Sequence, residues 1–426
     1  MTSDMEMPLA GVRVIDCSLL AAGATAAHLA DLGAEVIKVE APGGDYVRQL
    51  TWPIIEGSSL MHHEVSRGKK SLELDLRSAK GVQIFKDLVA KSDVVIEAMR
   101  PGALSRRGVG YEDLKTVNPA LVYCCISGYG MTGPYKDMPA HGIAFDSWAG
   151  LVIPVYDDDG FCYIPEHPSV GMHAAPVYAG MAICAALLRS GRTGQGAFLE
   201  IGQSDGAAYM DRLRSETWKA YQRPGSEVTG NKSDDFERRA PGTAGMREGV
   251  RYQYYESSDG HILFMASEQE FWKNFCTGVE RLDLFETWPG NQYGDHARGN
   301  RELQHILRDI FRSRSTGQWM SFASEYNTAL ARVNTPKSLL DDPHFKDRFP
   351  WLKADTHVAD MLPFPVHFQG EDVHVPANAP ASGEHNEQIL SDVMGYTAEQ
   401  IEALCDQGVV SDRTNRAIKS AEEPEN

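Results

Sequence analysis

The stretch from Gly11 to Glu40, GVRVIDCSLLAAGATAAHLADLGAEVIKVE, limits the possible folds more than any other part of the chain. Val12 to Cys17 is short, apolar and rich in β-branched residues, as a strand buried on both faces should be. Ser18 to Gly23 turns the chain on small residues. Ala24 to Leu32 then carries an alanine-rich helical pattern that stops at Gly33, and Ala34 to Glu40 forms a second strand. Strand, crossover helix and strand make a βαβ unit. In open α/β sheets the ligand lies outside the carboxyl ends of the strands, so the Ser18 to Gly23 turn is the expected point of contact.

The alternation continues. Ser71 to Leu76 reads as a strand, Ser78 to Lys91 as a helix, Asp93 to Ala98 as a strand, Tyr111 to Val117 as a helix and Leu121 to Ile126 as a strand. These crossovers are long enough for parallel strands, which makes a doubly wound α/β sheet. His141 to Leu151 and Met172 to Arg189 read as helices packed behind it. Arg223 to about Arg251 is polar, with little apolar periodicity, and reads as a linker or lid. Tyr252 to Ala266 is a hairpin turning on SSDG, and Phe271 to Leu282 and Glu302 to Phe322 have helical spacing. The expected organisation is a large domain over 1–221, a smaller α+β domain with linkers over 222–330, a return to the large domain over 331–412, and a frayed tail over 413–426. The returning segment ends in helices at Asn386 to Val393 and Ala398 to Gln407.

Composition removes several classes of function. Lys and Arg number 41 against 59 Asp and Glu, a formal charge of −18, which argues against non-specific nucleic-acid binding. An anionic ligand must be met by local Arg and Lys. The seven cysteines include no CxxC pair and read as reduced, mostly buried thiols. The Asp157 to Asp159 run reads as an exposed turn, so no metal is expected. The apolar run Ala174 to Leu188 is shorter than the roughly 20 residues of a membrane span, and the first residues do not resemble a signal peptide. The expectation is a cytoplasmic protein that does not engage membranes. A dinucleotide turn would need GxGxxG, whereas Ala21 to Ala26 holds one glycine, Gly23, so a nicotinamide enzyme is set aside although Glu40 stands where a ribose-binding acid would.

Five segments in order carry a resemblance: LAGVRVIDCSLLAAGATAAHLADLGAEVIKVEAPGGD, KKSLELDLRSAKG, DVVIEAMRPGALSRRGVG, NPALVYCCISGYGMTGP and GMAICAALLRSGRTGQG. Together they are similar to the family III coenzyme A transferases, which include formyl-, carnitine- and benzylsuccinate-CoA transferases and α-methylacyl-CoA racemase. The similarity resumes at YYESSDGHILFMA, VNTPKSLLDDP and APASGEHNEQIL. The resemblance implies a Rossmann-like large domain with a smaller α+β domain, in an interlocked dimer. It also implies CoA and acyl-CoA as substrates, with no permanently bound cofactor. Family contacts to the coenzyme fall on Leu20, Ala21, Ala22, Leu74, Arg77, Ala98, Met99 and Arg106. Arg77 and Arg106 follow strands, where guanidinium groups suit phosphates. Position 41, which in the family often holds a basic residue stacking on the adenine, is Ala41.

The family's nucleophile is an aspartate just upstream of a helix that here is Gly180 to Leu187. Counting back lands on Val170 or Ser169, or on His167 when the GMH triplet is the anchor. None is a carboxylate, and Glu166 is the only one between Pro165 and Leu188. The slot near Ser169 and Val170 reads as vacant, with Glu166 as a substitute after a local shift. His141 matches the base of the racemase branch and Glu268 the carboxylate of its other proton relay, which together supply only part of the acid/base apparatus, against plainer readings as a helix-capping histidine and a helix-start carboxylate. His167 and His173 read as structural. Trp148, Tyr163, Trp218 and Tyr221 are either an aromatic acyl pocket or core and interface residues. Three functions follow: a CoA-transferase subunit paired with an aspartate-bearing homologue (a homodimer being the other assembly), an acyl-CoA racemase or isomerase, and a CoA-binding protein without chemistry.

Overall fold

A computed structural model describes residues 7–232, 235–290, 296–353, 356–369 and 374–411. The tail expected over 413–426 lies outside the described residues. The chain divides into a larger unit, Met1–Met210 with Phe349–Asn426, and a smaller one, Asp211–Arg348. The sequence boundaries stood at 221/222 and 330/331. The smaller unit starts earlier because a helix at Arg212–Ala220, unread in the sequence, belongs to it.

The larger unit is built on β1 (Arg13–Cys17), α1 (Ala24–Asp31), β2 (Glu35–Glu40), α2 (Leu60–Ser66), β3 (Lys69–Glu73), α3 (Ala79–Val89), β4 (Val94–Glu97), α4 (Tyr111–Val117) and β5 (Val122–Ser127). After α5 (Ile143–Trp148) and the long α6 (Val170–Thr193) come β6 (Ala197–Gly202) and α7 (Gln203–Met210). The six strands are all parallel, in the order β6-β5-β4-β1-β2-β3. That is the doubly wound α/β order, with its reversal between β1 and β4. The sixth strand was missed because Phe198, Leu199 and Glu200 sit on an edge and give no continuous apolar run.

Both faces of the sheet are covered, which explains the near-continuous apolar strands. Ile15, Ile37, Val95 and Tyr123 point to one side, under α3 (Ile84, Phe85, Leu88), α4 (Leu114) and the returning chain (Ile389, Leu404). Val14, Val36, Val94 and Ile126 point to the other, under α1 (Ala26, Leu29) and α6 (Ala179, Ile183, Ala186). Each fully buried aliphatic side chain contributes roughly 1.5–3 kcal/mol. At 24 residues, α6 is longer than its apolar run suggested and meets the length and composition of a membrane span. Here one side of it lies against the sheet.

The smaller unit begins with α8 (Arg212–Ala220) and has an antiparallel sheet of β7 (Tyr252–Glu256), β8 (His261–Met265) and β9 (Leu330–Arg332). Its helices include α9 (Gln269–Gly278), α10 (Leu282–Thr287), α11 (Arg301–Arg312) and α12 (Thr316–Glu325). The single helical stretch expected over Glu302 to Phe322 is therefore two helices. Ser315 accepts from the Gln318 amide while the Gln318 side chain accepts from the Ser315 amide, a capping box that starts α12 afresh. The core is aromatic: Phe264, Trp272, Phe275, Phe311 and Trp319 are fully buried, and both indole N–H groups find carbonyls, Trp288 at 2.8 Å and Phe311 at 2.9 Å.

Candidate active site

The reversal of strand order sends the connections after β1 and β4 to opposite faces of the sheet and opens a crevice between their carboxyl ends. A cavity of about 250 Å³ lies there. Its floor is the turn after β1 (Leu19, Leu20, Ala21, Ala22) and the residues after β4 (Ala98, Met99). Ser127 and Gly128 after β5, the Lys136 to Gly142 loop, Phe145, Met172 and Gln203 complete it, all within the larger unit. The volume accommodates one end of a large ligand and not a whole coenzyme.

Local chain geometry makes this close approach possible. Leu20 takes φ +56°, a left-handed conformation that a branched residue adopts only where its surroundings enforce it. A Cβ at Gly142 would press on the Met172 sulfur, so the thioether lies directly over the glycine at the cavity. Pro176 inside α6 lacks the N–H that would bond the Met172 carbonyl, which leaves that carbonyl outside the helical ladder.

Of the residues singled out in the sequence, Leu20, Ala21, Ala22, Ala98, Met99 and His141 come together around the cavity. Leu74 does not: it is buried in the core on one face of the sheet, where its side chain cannot reach a ligand. Arg77 is exposed and paired with Asp75 at 2.9 Å. Arg106 is exposed on a short turn, with its guanidinium 3.4 Å from the Pro101 carbonyl. Neither arginine lines the cavity. Glu166 is exposed in the segment before α6. Ser169 caps α6 and Val170 begins it, but the α6 side chain in the cavity wall is Met172. His167 and His173 lie outside the lining, as do Trp148 and Tyr163, which are about half exposed. Glu268 starts α9 in the smaller unit, which also holds Trp218 and Tyr221. The Asp157 to Asp159 run lies in an exposed turn, and no cluster suited to a metal exists among the described residues.

Several residues that sequence reasoning passed over complete the wall. Ser127 is 5% exposed and belongs to the cavity lining, and its buried hydroxyl has no hydrogen-bond partner among the described residues. A buried hydroxyl left free beside a cavity is a ready ligand donor. Gln203 stands at the start of α7, and Arg100 and Lys136 bring positive charge in a chain that is otherwise acidic. Among the described residues Asp137 is the only carboxylate in the lining, exposed on its loop. Beneath the floor, Glu97 accepts from the Tyr123 hydroxyl at 2.8 Å. Burial raises the Glu97 carboxyl above its ordinary value, and hydrogen bonds from Tyr123 and Cys125 only partly oppose this.

These features coincide with an independent likeness: the family model for CoA-transferase family III matches residues 9–386. The chain belongs to the family III CoA-transferases. A human succinyl-CoA:glutarate CoA-transferase is 31% identical to this CoA-transferase chain over 420 residues, 96% of this chain and 91% of that one. The beta subunit of a succinyl-CoA–L-malate CoA-transferase from Chloroflexus aurantiacus is 27% identical over 424 residues, 95% and 98% of the two chains. The crystal structure of a CAIB/BAIF family protein from Brucella suis superposes with a TM-score of 0.73 at 25% identity, covering 91% of this chain and all of that one.

Proposed function

We propose that this chain is the non-nucleophilic subunit of a CoA transferase, paired with an aspartate-bearing homologue in a benzylsuccinate-type arrangement. Such an enzyme moves CoA between an acyl-CoA donor and a carboxylic acid. One observation carries the reading. Where α6 enters the cavity the side chain is Met172, a thioether that cannot attack a thioester and leave as an acid, whereas the coenzyme-facing turn is intact. The family's route needs a carboxylate oxygen to form a bond to the thioester carbon while the C–S bond breaks and CoA leaves as thiolate. A partner's aspartate would supply that oxygen.

Two further features support the reading. The outer side of α6 exposes Val177, Met181 and Leu188, and the segment before it, which holds a short hairpin of Val155–Tyr156 and Cys162–Tyr163, exposes Ile153, Tyr156 and Phe161. An apolar surface of this kind suits burial in an interlocked dimer, with the homologue or with a second copy. Two relatives are themselves named as subunits, the beta and alpha subunits of a succinyl-CoA–L-malate CoA-transferase. Arg100 and Lys136 in the lining favour a dicarboxylic acid, whose second carboxylate they would meet.

The test is acyl exchange from succinyl-CoA to labelled dicarboxylic acids, by the chain alone and with its co-encoded homologue. Exchange only in the mixture is expected. Full exchange by the lone chain refutes the reading, and its loss in Asp137→Asn would then name the nucleophile. A racemase or isomerase is the second reading, favoured by the place of His141 in the cavity wall. It requires solvent deuterium to enter the α-carbon of a branched acyl-CoA and to stop entering in His141→Ala. A chain that binds CoA and shows neither activity, even with its partner, is a binding protein.

A further inference from the structure

A closed group of charges lies directly beneath the turn that floors the cavity. Asp16 on β1 is fully buried, and its Oδ2 accepts from Lys69 Nζ at 2.6 Å. The same ammonium donates to the Gly23 carbonyl at 2.9 Å. Lys38 on β2 donates from Nζ to the Ser18 carbonyl at 2.9 Å and pairs with Asp45 at 3.0 Å. The second Asp16 oxygen accepts from the Ser18 amide at 2.9 Å and from the Ser18 hydroxyl. Asp45 in turn donates its amide N–H to Glu40 at 2.7 Å, and Glu40 pairs with Arg48 at 2.7 Å. Asp16, Asp45 and Glu40 thus balance Lys38, Lys69 and Arg48.

Stability alone does not account for such a group. Exchanging a buried ion pair for apolar side chains of similar volume is often neutral or stabilising. What apolar side chains cannot do is hold a carbonyl oxygen in place. Both buried ammonium groups end on main-chain carbonyls, and those carbonyls belong to the first and last residues of the Ser18 to Gly23 turn. Between them Leu20 keeps its left-handed conformation, and Leu20, Ala21 and Ala22 face the cavity.

We propose that Lys38 and Lys69 are positioning residues for the coenzyme, clamping the two ends of the Ser18 to Gly23 turn so that its main chain meets the ligand in one fixed shape. The proposal rests on the reading of this cavity as the coenzyme site. Neither lysine touches the ligand; each acts through the carbonyl it holds. Burial shifts the members of the group in different directions: at Lys69 it outweighs the pull of Asp16 and lowers that ammonium. Burial works against the Asp16 carboxylate, but Lys69, Lys38 and Ser18 outweigh it and hold its carboxyl below the ordinary value. Burial likewise opposes the Lys38 ammonium, and Asp16, Asp45 and Glu40 outweigh it and raise that group.

Calorimetric titration of the full chain with CoA tests the clamp. Lys38→Met keeps the stem and removes the donor to Ser18, and Ser18→Ala deletes one hydroxyl on Asp16. Arg67→Met is the control, because the buried Arg67–Asp31 pair at 2.9 Å holds no turn carbonyl. Lys38→Met is expected to weaken CoA binding about tenfold or more, since small misplacements at a site have effects of that order. Ser18→Ala should weaken it less but measurably, with faster amide exchange at Leu19 to Ala22 in both variants. Arg67→Met should lower the melting temperature and leave CoA affinity unchanged. Should Lys38→Met not fold, the double variant Asp16→Asn/Lys69→Met decides in its place, because it removes the donor to the Gly23 carbonyl together with the charge that would be stranded, and wild-type affinity and exchange in it overturn the clamp. A folded Lys38→Met that binds CoA like wild type, or an Arg67→Met that loses as much affinity, also overturns it. Failure of the wild-type chain to bind CoA overturns the coenzyme reading and the clamp together, whereas wild-type binding with unaffected variants removes the clamp only.

Discussion

Replacing Asp16 with Asn puts a number on the buried charge group. At a separation of 2.6 Å the gross attraction between Asp16 and Lys69 is about 6 kcal/mol for an effective dielectric of about 20. The variant does not simply lose that amount. Lys69 stays buried, now short of its counter-charge, and removing one partner of a buried pair typically costs about 3–5 kcal/mol. Against a total of about 5–15 kcal/mol for a folded domain, such a loss brings the larger unit close to unfolding. The double variant Asp16→Asn/Lys69→Met removes both charges and should be less destabilised than the sum of the single variants, by up to about 3 kcal/mol. Urea unfolding at pH 7, followed by circular dichroism with the slope held common, measures all four corners of the cycle. The sign with pH is also fixed. The folded value of Asp16 lies below its unfolded one, so its contribution is complete above about pH 4 and fades as the pH falls further, where wild type and Asp16→Asn should converge. A loss under about 1 kcal/mol for Asp16→Asn, or strict additivity in the double variant, would falsify the reasoning, since neither fits an uncompensated buried charge.

Three other outcomes are expected. Met172→Asp places a carboxylate in the cavity wall and should give the lone chain measurable acyl exchange together with a hydroxylamine-trappable acyl-enzyme; a variant that binds CoA and stays inactive shows that more than the nucleophile is missing. Native protein treated with a thiol reagent near pH 8 should label at the exposed Cys162 first, while Cys17, Cys124, Cys125 and Cys276 stay silent until unfolding. Burial pushes the Cys124 and Cys276 thiols up to about 12, so rapid labelling of either contradicts the packing described. Phe275→Ala empties the centre of the aromatic core of the smaller unit, where Phe264, Phe311 and Trp319 surround the ring, and should cost about 3–5 kcal/mol in unfolding monitored by tryptophan fluorescence. A change below about 1 kcal/mol would show that the core refills the space.

The sequence made the sheet legible where side chains alternate between two buried faces. Val14 and Ile15, Val36 and Ile37, and Val94 and Val95 give the unbroken apolar runs from which β1, β2 and β4 were read. Edges were harder. β6 carries Glu200 and a partly exposed Phe198, and β3 begins with two lysines, so its start was read late, at Ser71. The α11–α12 break turns on hydrogen bonds at Ser315 that apolar spacing does not register. At the site, main-chain positions around the turn were legible because they follow strands. Ser127, Gln203 and Met172 were not, because nothing in their local pattern distinguishes them from ordinary strand-end and helix residues. Their role is visible only when β5, α6 and α7 converge on one cavity. The buried lysines were equally hidden: Lys38 and Lys69 are 3% exposed, and nothing in their local pattern sets them apart from lysines on the surface.

The floor and the wall of the cavity are carried by different parts of the chain, so one can change while the other is kept. The floor is made of main-chain turns at the ends of β1 and β4, fixed by the sheet and by the charges beneath it. The wall contribution of α6 is a single side chain, Met172, whose flexible thioether packs over Gly142. A chain with no further use for its cavity would lose nothing by exchanging Asp16, Lys38 and Lys69 for apolar residues, and by the usual balance of buried charges it would gain stability. This chain keeps those charges and aims both ammonium groups at the turn. The energetic argument therefore favours a protein that still holds its coenzyme over one that has only inherited the fold.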